Sequence, residues 1–280
     1  MLTIVKEYIN KILNYIIEKR GFDFKGYSYE MLDRRISKRI SKHNCEDYSE
    51  YLKILYENEK EIDALISKIT INVSNFFRDP LMYEILADYL IPNLLVEKKN
   101  KNSTHLRIWS AACSEGQEAY SVAIIGDDLI KNDYKDFEIS IFATDIDDIV
   151  LCKAQLGEYH SSDLVDTKNK YISTHFVKSG EIYRISEAIK SKVEFSKFDL
   201  LDKKLTLPPV SVYGNFDIIL LRNVLIYYSV EYQNQMLNKV YNSLSKNGIL
   251  ILGDTELLTE KFRDKFNRVG NFSKIFKKIN

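Results

Sequence analysis

The segment from Leu106 to Ile125, LRIWSAACSEGQEAYSVAII, narrows the possible folds more than any other part of the chain. It begins with an apolar run that ends at Trp109, continues through small residues to a turn around Gly116, and then repeats apolar residues at helical spacing. This order predicts a strand, a tight turn and a helix, which is the opening unit of a nucleotide-type α/β fold.

The loop in this segment also limits the kind of ligand. It has one glycine, Gly116, and does not match GxGxxG, so a cradle for pyrophosphate is not expected. We expect Gly116 to let the backbone approach a ligand closely, and Glu118 to lie at the mouth of the crevice above the strand. A ligand with a nucleoside but no phosphate suits such a loop best.

Composition excludes several classes of protein. The 280 residues are enough for one large domain or two smaller ones with a buried core. Forty basic residues balance forty acidic ones, so no net charge draws the chain to nucleic acid or to an anionic membrane. The four histidines are scattered, and the cysteines (Cys45, Cys113 and Cys152) form no CxxC pair. This pattern argues against a disulfide framework or a metal site and favours a reducing, cytoplasmic location.

The first 22 residues, MLTIVKEYINKILNYIIEKRGF, are apolar, but charged residues interrupt them too often for a membrane span. Their apolar residues follow a 3.6-residue period, which predicts an amphipathic helix. Further helices are predicted after Ser28, after Asp47 or Ser49, and over Glu59–Ile69. We therefore predict a small all-α domain over residues 1–70.

From about residue 71 the pattern changes to that of an α/β domain over residues 71–280. Asp79 as a cap and Pro80 in the first helical position predict a helix that ends near Leu90. Strands and helices then alternate, which predicts a mostly parallel, Rossmann-like sheet covered on both faces. Residues 159–190 fit this alternation poorly and are expected to form a small inserted subdomain. The predicted strands after the first are Glu138–Ile146, Lys192–Leu200, Phe216–Val224 and Gly248–Thr255, the predicted helices are Asp148–Ala154, Ser229–Ser243 and Leu257–Phe266, and Val269–Ile279 is predicted to be an antiparallel hairpin that turns at Gly270-Asn271.

Polar residues follow two of the predicted strands. Asp145 ends the second strand, where an acidic residue in such folds accepts hydrogen bonds from ribose hydroxyls. Arg222 and Asn223 end an apolar strand at the carboxyl edge, where ligands bind in open α/β sheets. The alternatives are helix capping by Asp145 and strand-end capping by the Arg-Asn pair.

Two other segments are each open to two interpretations. NVSNFFRDP, residues 72–80, places two phenylalanines beside Arg78, which suits either packing between domains or binding of a cationic sulfonium cofactor and an anionic acceptor. The basic residues of the second predicted helix span an arc of about 140°, which suits either a solvated face or docking onto an acidic partner. They are Arg34, Arg35, Lys38, Arg39 and Lys42.

Together these motifs resemble the CheR family, the S-adenosylmethionine-dependent methyltransferases of bacterial chemotaxis receptors. The resemblance covers residues from about 30 to 260, and the FFRDP and LRNVLIYY segments are specific to this family among Rossmann-type methyltransferases. The matching segments occur in the family's order and spacing; they are NVSNFFRDP, RIWSAACSEGQEAYSVAI, FATDID, VEFSKFDLL and FDIILLRNVLIYY.

The resemblance implies a class I methyltransferase fold, with S-adenosyl-L-methionine as cofactor and S-adenosyl-L-homocysteine as product. It implies that Arg78 and Tyr227 act in catalysis, with Tyr227 near the transferred methyl group. Ser74 stands where the family usually has threonine, Ala119 where many members have proline, and Asp199 where some have asparagine. The implied cofactor contacts are Asn72, Ser74, Arg78, Glu118, Asp145, Asp199, Leu200, Arg222 and Asn223.

The implied reaction transfers a methyl group to receptor glutamate carboxylates and gives γ-methyl esters during sensory adaptation. Such a carboxylate has a pKa of about 4.3 and is already ionised at neutral pH, so the reaction needs no general base. The implied partners are the cytoplasmic helical domains of chemotaxis receptors. The N-terminal helical domain is expected to meet them through the basic residues of its second helix.

Other partners are not expected. We expect a monomer that binds no nucleic acid and does not insert into a membrane. Members that bind a receptor's C-terminal pentapeptide have a longer, glycine-richer loop than the Ser179-Gly180 turn, so pentapeptide binding is not expected. Two alternatives stay open: a catalytically silent cofactor-binding sensor or scaffold, and a methyltransferase for small molecules or RNA. Intact Arg78 and Tyr227 weigh against the first, and the neutral charge weighs against RNA.

Overall fold

The computed structural model describes residues 2–24, 26–70, 74–205, 207–209, 211, 214–271 and 273–279. The chain divides into two compact units. One unit comprises residues 1–72 together with residues 227–232, and the other comprises residues 73–226 and 233–280. The sequence pattern did not indicate that residues 227–232 belong with the N-terminal helices, because they lie far along the chain.

The first unit, called here the helical unit, contains the helices α1 (Leu2–Arg20), α2 (Tyr29–Lys42), α3 (Tyr48–Glu57) and α4 (Glu59–Thr70). Their apolar faces form a common core that includes Ile36, Leu55 and Ile62. Of the two predicted starts for α3, the structure selects Asp47, whose carboxylate accepts the backbone N–H of Ser49 at 2.8 Å. None of the described helices is long and apolar enough to cross a membrane.

Residues 227–232 join this unit through backbone contacts. The N–H of Ser28 donates to the carbonyl of Tyr227 at 2.7 Å, and the N–H of Ser229 donates to the carbonyl of Gly26 at 2.9 Å. A Cβ on Gly26 would overlap the ring of Tyr232, and the φ of Gly26 is +89°. Glycine at this position therefore allows both the turn and the close approach.

Arg39 does not lie on the exposed basic face that was predicted for α2. This side chain is buried and pairs with Glu61 of α4, with Nε 2.8 Å from Oε1. Tyr51 donates to the same oxygen at 2.7 Å, and His43 Nε2 lies 2.9 Å from Oε2. The expectation that Arg39 docks a partner was therefore wrong, because its charge is used inside the unit. The exposed basic residues of α2 are Arg34, Lys38 and Lys42, and Arg35 is half-buried.

The second unit, called here the α/β unit, contains most of the strands and helices. Its helices are α5 (Pro80–Ile85), α6 (Ile91–Asn100), α7 (Gln117–Asn132), α8 (Asp148–Leu156), α9 (Asn169–His175), α10 (Glu187–Lys190), α11 (Val230–Ser243), whose first residues belong to the helical unit, and α12 (Glu260–Arg263). Its strands are β1 (His105–Ala111), β2 (Glu138–Asp145), β3 (Glu158–His160), β4 (Phe176–Ser179), β5 (Ile182–Ile185), β6 (Val193–Lys197), β7 (Phe216–Leu221), β8 (Leu244–Leu252), β9 (Phe266–Arg268) and β10 (Ile275–Lys278). A π-helical turn joins α5 to α6, and 3₁₀ turns cover Ser161–Leu164 and Leu225–Tyr227.

The predicted mostly parallel sheet is confirmed. Its strand order is β6-β2-β1-β7-β8-β10-β9, and only the contacts of β10 with β8 and β9 are antiparallel. Ala111 lies opposite Thr144, and Ser110 lies opposite Leu220, so β1, β2 and β7 end at the same edge. The strand order reverses between β1 and β7, and ligands bind at such a reversal in open α/β sheets.

Two smaller features follow the expected pattern and one does not. Antiparallel strands β3, β5 and β4 form a small separate sheet, and an antiparallel C-terminal hairpin forms between β9 and β10, although β9 precedes the predicted start of the hairpin at Val269. The helix predicted over Leu257–Phe266 covers only Glu260–Arg263, because the extended backbone of Thr259 delays its start. Short apolar segments of this kind do not distinguish an extended loop from a helix.

We expect the Arg39→Met variant to lose about 3 kcal/mol of unfolding free energy, because it leaves a buried carboxylate without its cation. Lys38→Met changes the exposed neighbouring residue, so it should alter that free energy by less than about 0.5 kcal/mol. Urea-induced unfolding followed by circular dichroism measures both values.

The loss in Arg39→Met should also depend on pH. Burial alone would raise the pKa of Glu61, but hydrogen bonds from Arg39, Tyr51 and His43 outweigh burial and lower it. A lowered pKa adds stability above the ordinary value of 4.5, and this stability is lost as the pH falls through the folded value. The difference between variant and wild type should therefore shrink in acid. A pH-independent difference, or equal losses in the two variants, would contradict the buried pair.

Candidate active site

The turn after β1 has an unusual backbone. Ala112, Ser114 and Gly116 all have left-handed φ values, of 60°, 51° and 89°. A Cβ on Gly116 would lie 3.0 Å from the Cβ of Ala154 and 3.0 Å from the ring of Phe195. The structure therefore explains this glycine by the turn and by packing within the chain, and the close approach of a ligand to its backbone stays a prediction.

Asp145 ends β2 with its carboxylate against the same turn. Oδ2 accepts the N–H of Ser114 at 2.9 Å, and Oδ1 accepts the N–H of Asp147 at 3.1 Å. The residue is 8% exposed, and burial raises the pKa of its carboxyl although these N–H groups oppose the shift. Asp147 is the residue that caps α8. A carboxylate has about four acceptor positions, so Asp145 can still accept hydrogen bonds from the hydroxyl groups of a ligand.

The guanidinium of Arg222, directly after β7, joins three segments of the chain. Its Nη1 lies 3.2 Å from Oε2 of Glu118, at the start of α7. Its Nη2 pairs with the carboxylate of Asp79 and donates to the carbonyl of Arg78 at 3.2 Å. Ser110 at the end of β1 donates to Oε1 of Glu118 at 2.7 Å. The structure thus brings together Glu118 and Arg222, which the sequence placed at one edge of the sheet.

This cluster has polar groups that suit a polar ligand. Glu118 and Asp79 both place a carboxylate against the guanidinium of Arg222. Burial raises the pKa of Glu118, while Arg222 and Ser110 oppose the shift. Nε of Arg222 and Oε1 of Gln117 are buried without hydrogen-bond partners among the described residues. Such unpartnered polar atoms fit a polar guest, and carboxylate oxygens are suitable acceptors for the ammonium group of S-adenosylmethionine.

Asp79 precedes α5, and Pro80 begins that helix as predicted. Asp79 does not cap it by the expected hydrogen bond: its φ is +64°, and its carboxylate turns toward Arg222. The half-buried guanidinium of Arg78 takes part in none of the hydrogen bonds or ion pairs between described residues. The backbone of Arg78 is therefore held in place while its charged end stays available.

The two phenylalanines of this segment pack inside the α/β unit. Phe76 has no exposed surface and contacts the ring of Tyr159 edge-on, with 4.7 Å between centroids. Phe77 is 5% exposed and stacks on Tyr171 at 5.1 Å. The suggestion that their faces receive a sulfonium was wrong, because neighbouring aromatic rings already cover them. The other suggestion, packing between domains, is also corrected to packing within one unit.

The remaining predicted site residues lie in different places. Asn72 lies outside the described residues, and Ser74 is half-buried shortly before Phe76. Asp199 and Leu200 follow β6, and Oδ1 of Asp199 accepts the N–H of Leu201 at 2.7 Å. Tyr227 belongs to the helical unit and packs against its core. Their contacts with a cofactor stay predictions.

The structure adds two residues that sequence reasoning missed. Asp79 was considered only as a helix cap, although it shares the guanidinium of Arg222. Glu256, in the loop after β8, accepts four backbone N–H groups, three of them in the segment that follows Arg222. The one available signal for Glu256 was an acidic residue soon after an apolar strand, at the sheet edge where the other polar residues gather.

An open, mostly parallel α/β sheet with polar side chains gathered at its strand reversal is the architecture of the Rossmann-like class, to which many S-adenosylmethionine-dependent methyltransferases belong. Comparison with protein families makes the assignment specific. Residues 72–275 match the CheR methyltransferase, SAM binding domain, and residues 7–70 match the CheR methyltransferase, all-alpha domain. The chain belongs to the CheR methyltransferase family, and S-adenosylmethionine is its cofactor.

Individual relatives agree with this assignment. The chain is 34% identical over 236 residues to the chemotaxis protein methyltransferase of Listeria innocua, covering 84% of each chain. It is 27% identical over 261 residues to that of Borreliella burgdorferi, covering 92% of this chain and 90% of the relative. Among solved structures it is similar to magnesium protoporphyrin IX methyltransferase (ChlM) from Synechocystis with bound SAM, at 15% identity and a TM-score of 0.38, covering 70% of this chain and 77% of that one. The two family models and the two chemotaxis relatives identify the chain as a methyltransferase of the chemotaxis type, and they give no support to the catalytically silent alternative.

We expect the stability of the Glu118→Gln variant, relative to the wild type, to increase as the pH rises above 4.5. The pKa of Glu118 is raised above its ordinary value of 4.5. Protonation of this carboxyl therefore stabilises the wild-type fold fully below pH 4.5, and the contribution is lost as the pH rises through the raised value. Glutamine does not titrate, so the relative stability of the variant should fall on acidification. Urea unfolding at a series of pH values measures this trend.

Glu194→Gln is the control, because the same change is made at an exposed residue of β6. Its stability difference from wild type should vary less with pH. A pH-independent difference for Glu118→Gln, or an equal dependence in the control, would show that burial does not shift this carboxyl.

Proposed function

We propose that this protein transfers the methyl group of S-adenosylmethionine to glutamate side chains of chemotaxis receptors and forms γ-methyl esters. The names of its relatives support the chemotaxis context. The observation that carries the choice of acceptor is the Arg78 guanidinium, which has no hydrogen-bond or ion-pair partner within the described part of the chain. An available guanidinium at the active site suits a carboxylate, which it can bind through two parallel hydrogen bonds.

For this reaction the protein mainly has to position the methyl donor and the acceptor carboxylate. When bound, S-adenosylmethionine supplies an electrophilic methyl group on a cationic sulfur. Arg78 would orient the acceptor carboxylate, which is ionised at neutral pH and needs no general base. Glu118 would hold the cationic end of the cofactor and Asp145 its ribose, while Arg222 keeps Glu118 in place. Aligning the reacting atoms in this way is the main source of the rate.

Other roles are proposed from the family resemblance. Tyr227, at the end of the 3₁₀ turn Leu225–Tyr227, would contact the methyl end of the cofactor. Asn72 and Ser74 would contact the cofactor before the first strand, and Asp199 and Leu200 would flank adenine. The proposed acceptors are the cytoplasmic helical domains of the receptors, without a pentapeptide tether through the short turn at Gly180.

We expect Arg78→Ala to lower receptor methylation by about 100-fold or more, since misplacement of a reacting group costs that much. Its affinity for S-adenosylhomocysteine should also fall more than that of Tyr227→Phe. Arg78→Lys keeps the charge but not the forked geometry, so it should retain part of the turnover. The assay uses tritiated S-adenosylmethionine with receptor-containing membranes and counts base-labile methyl groups. Near-normal methylation by Arg78→Ala would rule out this role, and base-stable label would rule out a glutamate ester.

The helical unit is proposed to meet the receptor through the basic stripe, defined as Arg34, Lys38 and Lys42. These residues are four apart along α2, so they lie on one face, and all are exposed. Receptor methylation helices are expected to be rich in glutamate, and charges of opposite sign speed encounter. The stripe replaces the wider basic set because Arg39 is buried and Arg35 is half-buried.

We expect the triple variant Arg34→Gln, Lys38→Gln, Lys42→Gln to methylate receptors more slowly at low salt, with a weaker dependence on salt. Salt screens exposed charges, so the difference from wild type should narrow as ionic strength rises. The matched control changes Lys246, Lys261 and Arg263 to glutamine, which removes three exposed positive charges from the α/β unit. An unchanged rate and salt slope in the first variant, or the same loss in the control, would refute docking by the stripe.

A further inference from the structure

Glu256 lies in the loop between β8 and α12 and is 2% exposed. Its Oε1 accepts the backbone N–H of Val224 at 2.8 Å and that of Leu225 at 2.7 Å. Its Oε2 accepts the N–H of Asn223 at 2.8 Å and that of Gly253 at 2.7 Å. The carboxylate thus accepts four short hydrogen bonds, all from the backbone.

No side-chain cation balances this carboxylate among the described residues, since none of their ion pairs includes Glu256. A buried charge without a partner is costly. The dipoles of the four N–H groups are what stabilise it here, and three of these groups are consecutive. Residues 223–225 therefore form a small anion-binding nest around the carboxylate.

The contact depends on the backbone at both of its ends. Asn223 has a φ of 59°, in the left-handed region that asparagine tolerates better than most residues. A Cβ on Gly253 would lie 2.9 Å from the backbone N of Asn223, which cannot move aside as a side chain can, and 2.9 Å from Oε2 of Glu256. The ends of β7 and β8 therefore approach so closely that glycine is needed at residue 253.

We propose that Glu256 is a positioning residue of the cofactor site. Its carboxylate sets the direction in which the chain leaves β7, and thereby places Asn223 and the adjacent Arg222. Arg222 in turn holds Glu118 through the ion pair at 3.2 Å. Glu256 acts only through these neighbours. The inference rests on the proposed cofactor contacts of Arg222 and Asn223, and it does not depend on which acceptor receives the methyl group.

The test is the affinity of the full chain for S-adenosylhomocysteine, measured by calorimetry. Glu256→Gln replaces one acceptor oxygen by an NH₂ group, which faces two N–H donors and cannot accept from them. We expect its Kd to rise about tenfold or more, since hydrogen bonds to a charged group are lost. Glu260→Gln makes the same change at an exposed residue of α12 and should leave the Kd unchanged.

Two readouts separate positioning from general destabilisation. In methylation assays the KM for S-adenosylmethionine should rise more than kcat falls, so saturating cofactor restores most of the rate. In Glu256→Ala, added acetate can occupy the vacated nest, so it should tighten S-adenosylhomocysteine binding while leaving the wild type unaffected. A Kd within twofold of wild type in folded Glu256→Gln, or no effect of acetate on Glu256→Ala, would overturn the proposal.

If Glu256→Gln does not fold, the Gly253→Ala variant tests the proposal instead, because the added methyl group disturbs the same contact from the side of residue 253. Weakened S-adenosylhomocysteine binding in this variant supports the proposal, and unchanged binding overturns it. The binding assay is also independent of the acceptor. If the wild type does not methylate receptor glutamates but Glu256→Gln still binds the product weakly, the proposed acceptor is wrong and the positioning role stands.

Discussion

The buried guanidinium of Arg222 is the interaction on which the rest of the site depends. Glu118 and Asp79 both bring carboxylates into a largely buried region, where an unpaired charge would be costly. Arg222 pairs with both and also holds the carbonyl of Arg78. The cofactor end of the site and the segment that carries Arg78 are therefore linked through one side chain. A change at either end alters the electrostatic balance at the other.

Several residues at the sheet edge around Arg222 have a left-handed backbone conformation, which most residues avoid. Asp79, Ala112, Ser114 and Asn223 all have left-handed φ values, and each costs of the order of 1 kcal/mol. Specific hydrogen bonds offset this cost: the carboxylate of Asp145 accepts the N–H of Ser114, and Glu256 accepts the N–H of Asn223. Strain maintained by such bonds fits a site whose groups must be in place before the ligand arrives.

Much of the fold could be predicted from periodicity and capping. Alternation of apolar strands with amphipathic helices predicted the parallel sheet, because that alternation leaves few other ways to bury both faces. The ends of the strands predicted where Asp145, Glu118 and Arg222 gather, since parallel strands share one carboxyl edge. The pattern failed for Arg39, because charge and helical position do not reveal that Glu61 lies opposite it in the fold.

The sequence by itself determined the order of strands and helices, the loop with a single glycine, and the resemblance that names the methyl donor. These features are local, since they depend on residues a few positions apart and on the preferences of individual side chains. The tertiary structure alone decided the partners of those residues. Asp79 turns from a helix cap to Arg222, Phe76 packs on Tyr159, and Glu256 reaches the segment after β7. Such pairings join residues from 31 to 143 positions apart, and packing of the whole sheet is what brings them into contact.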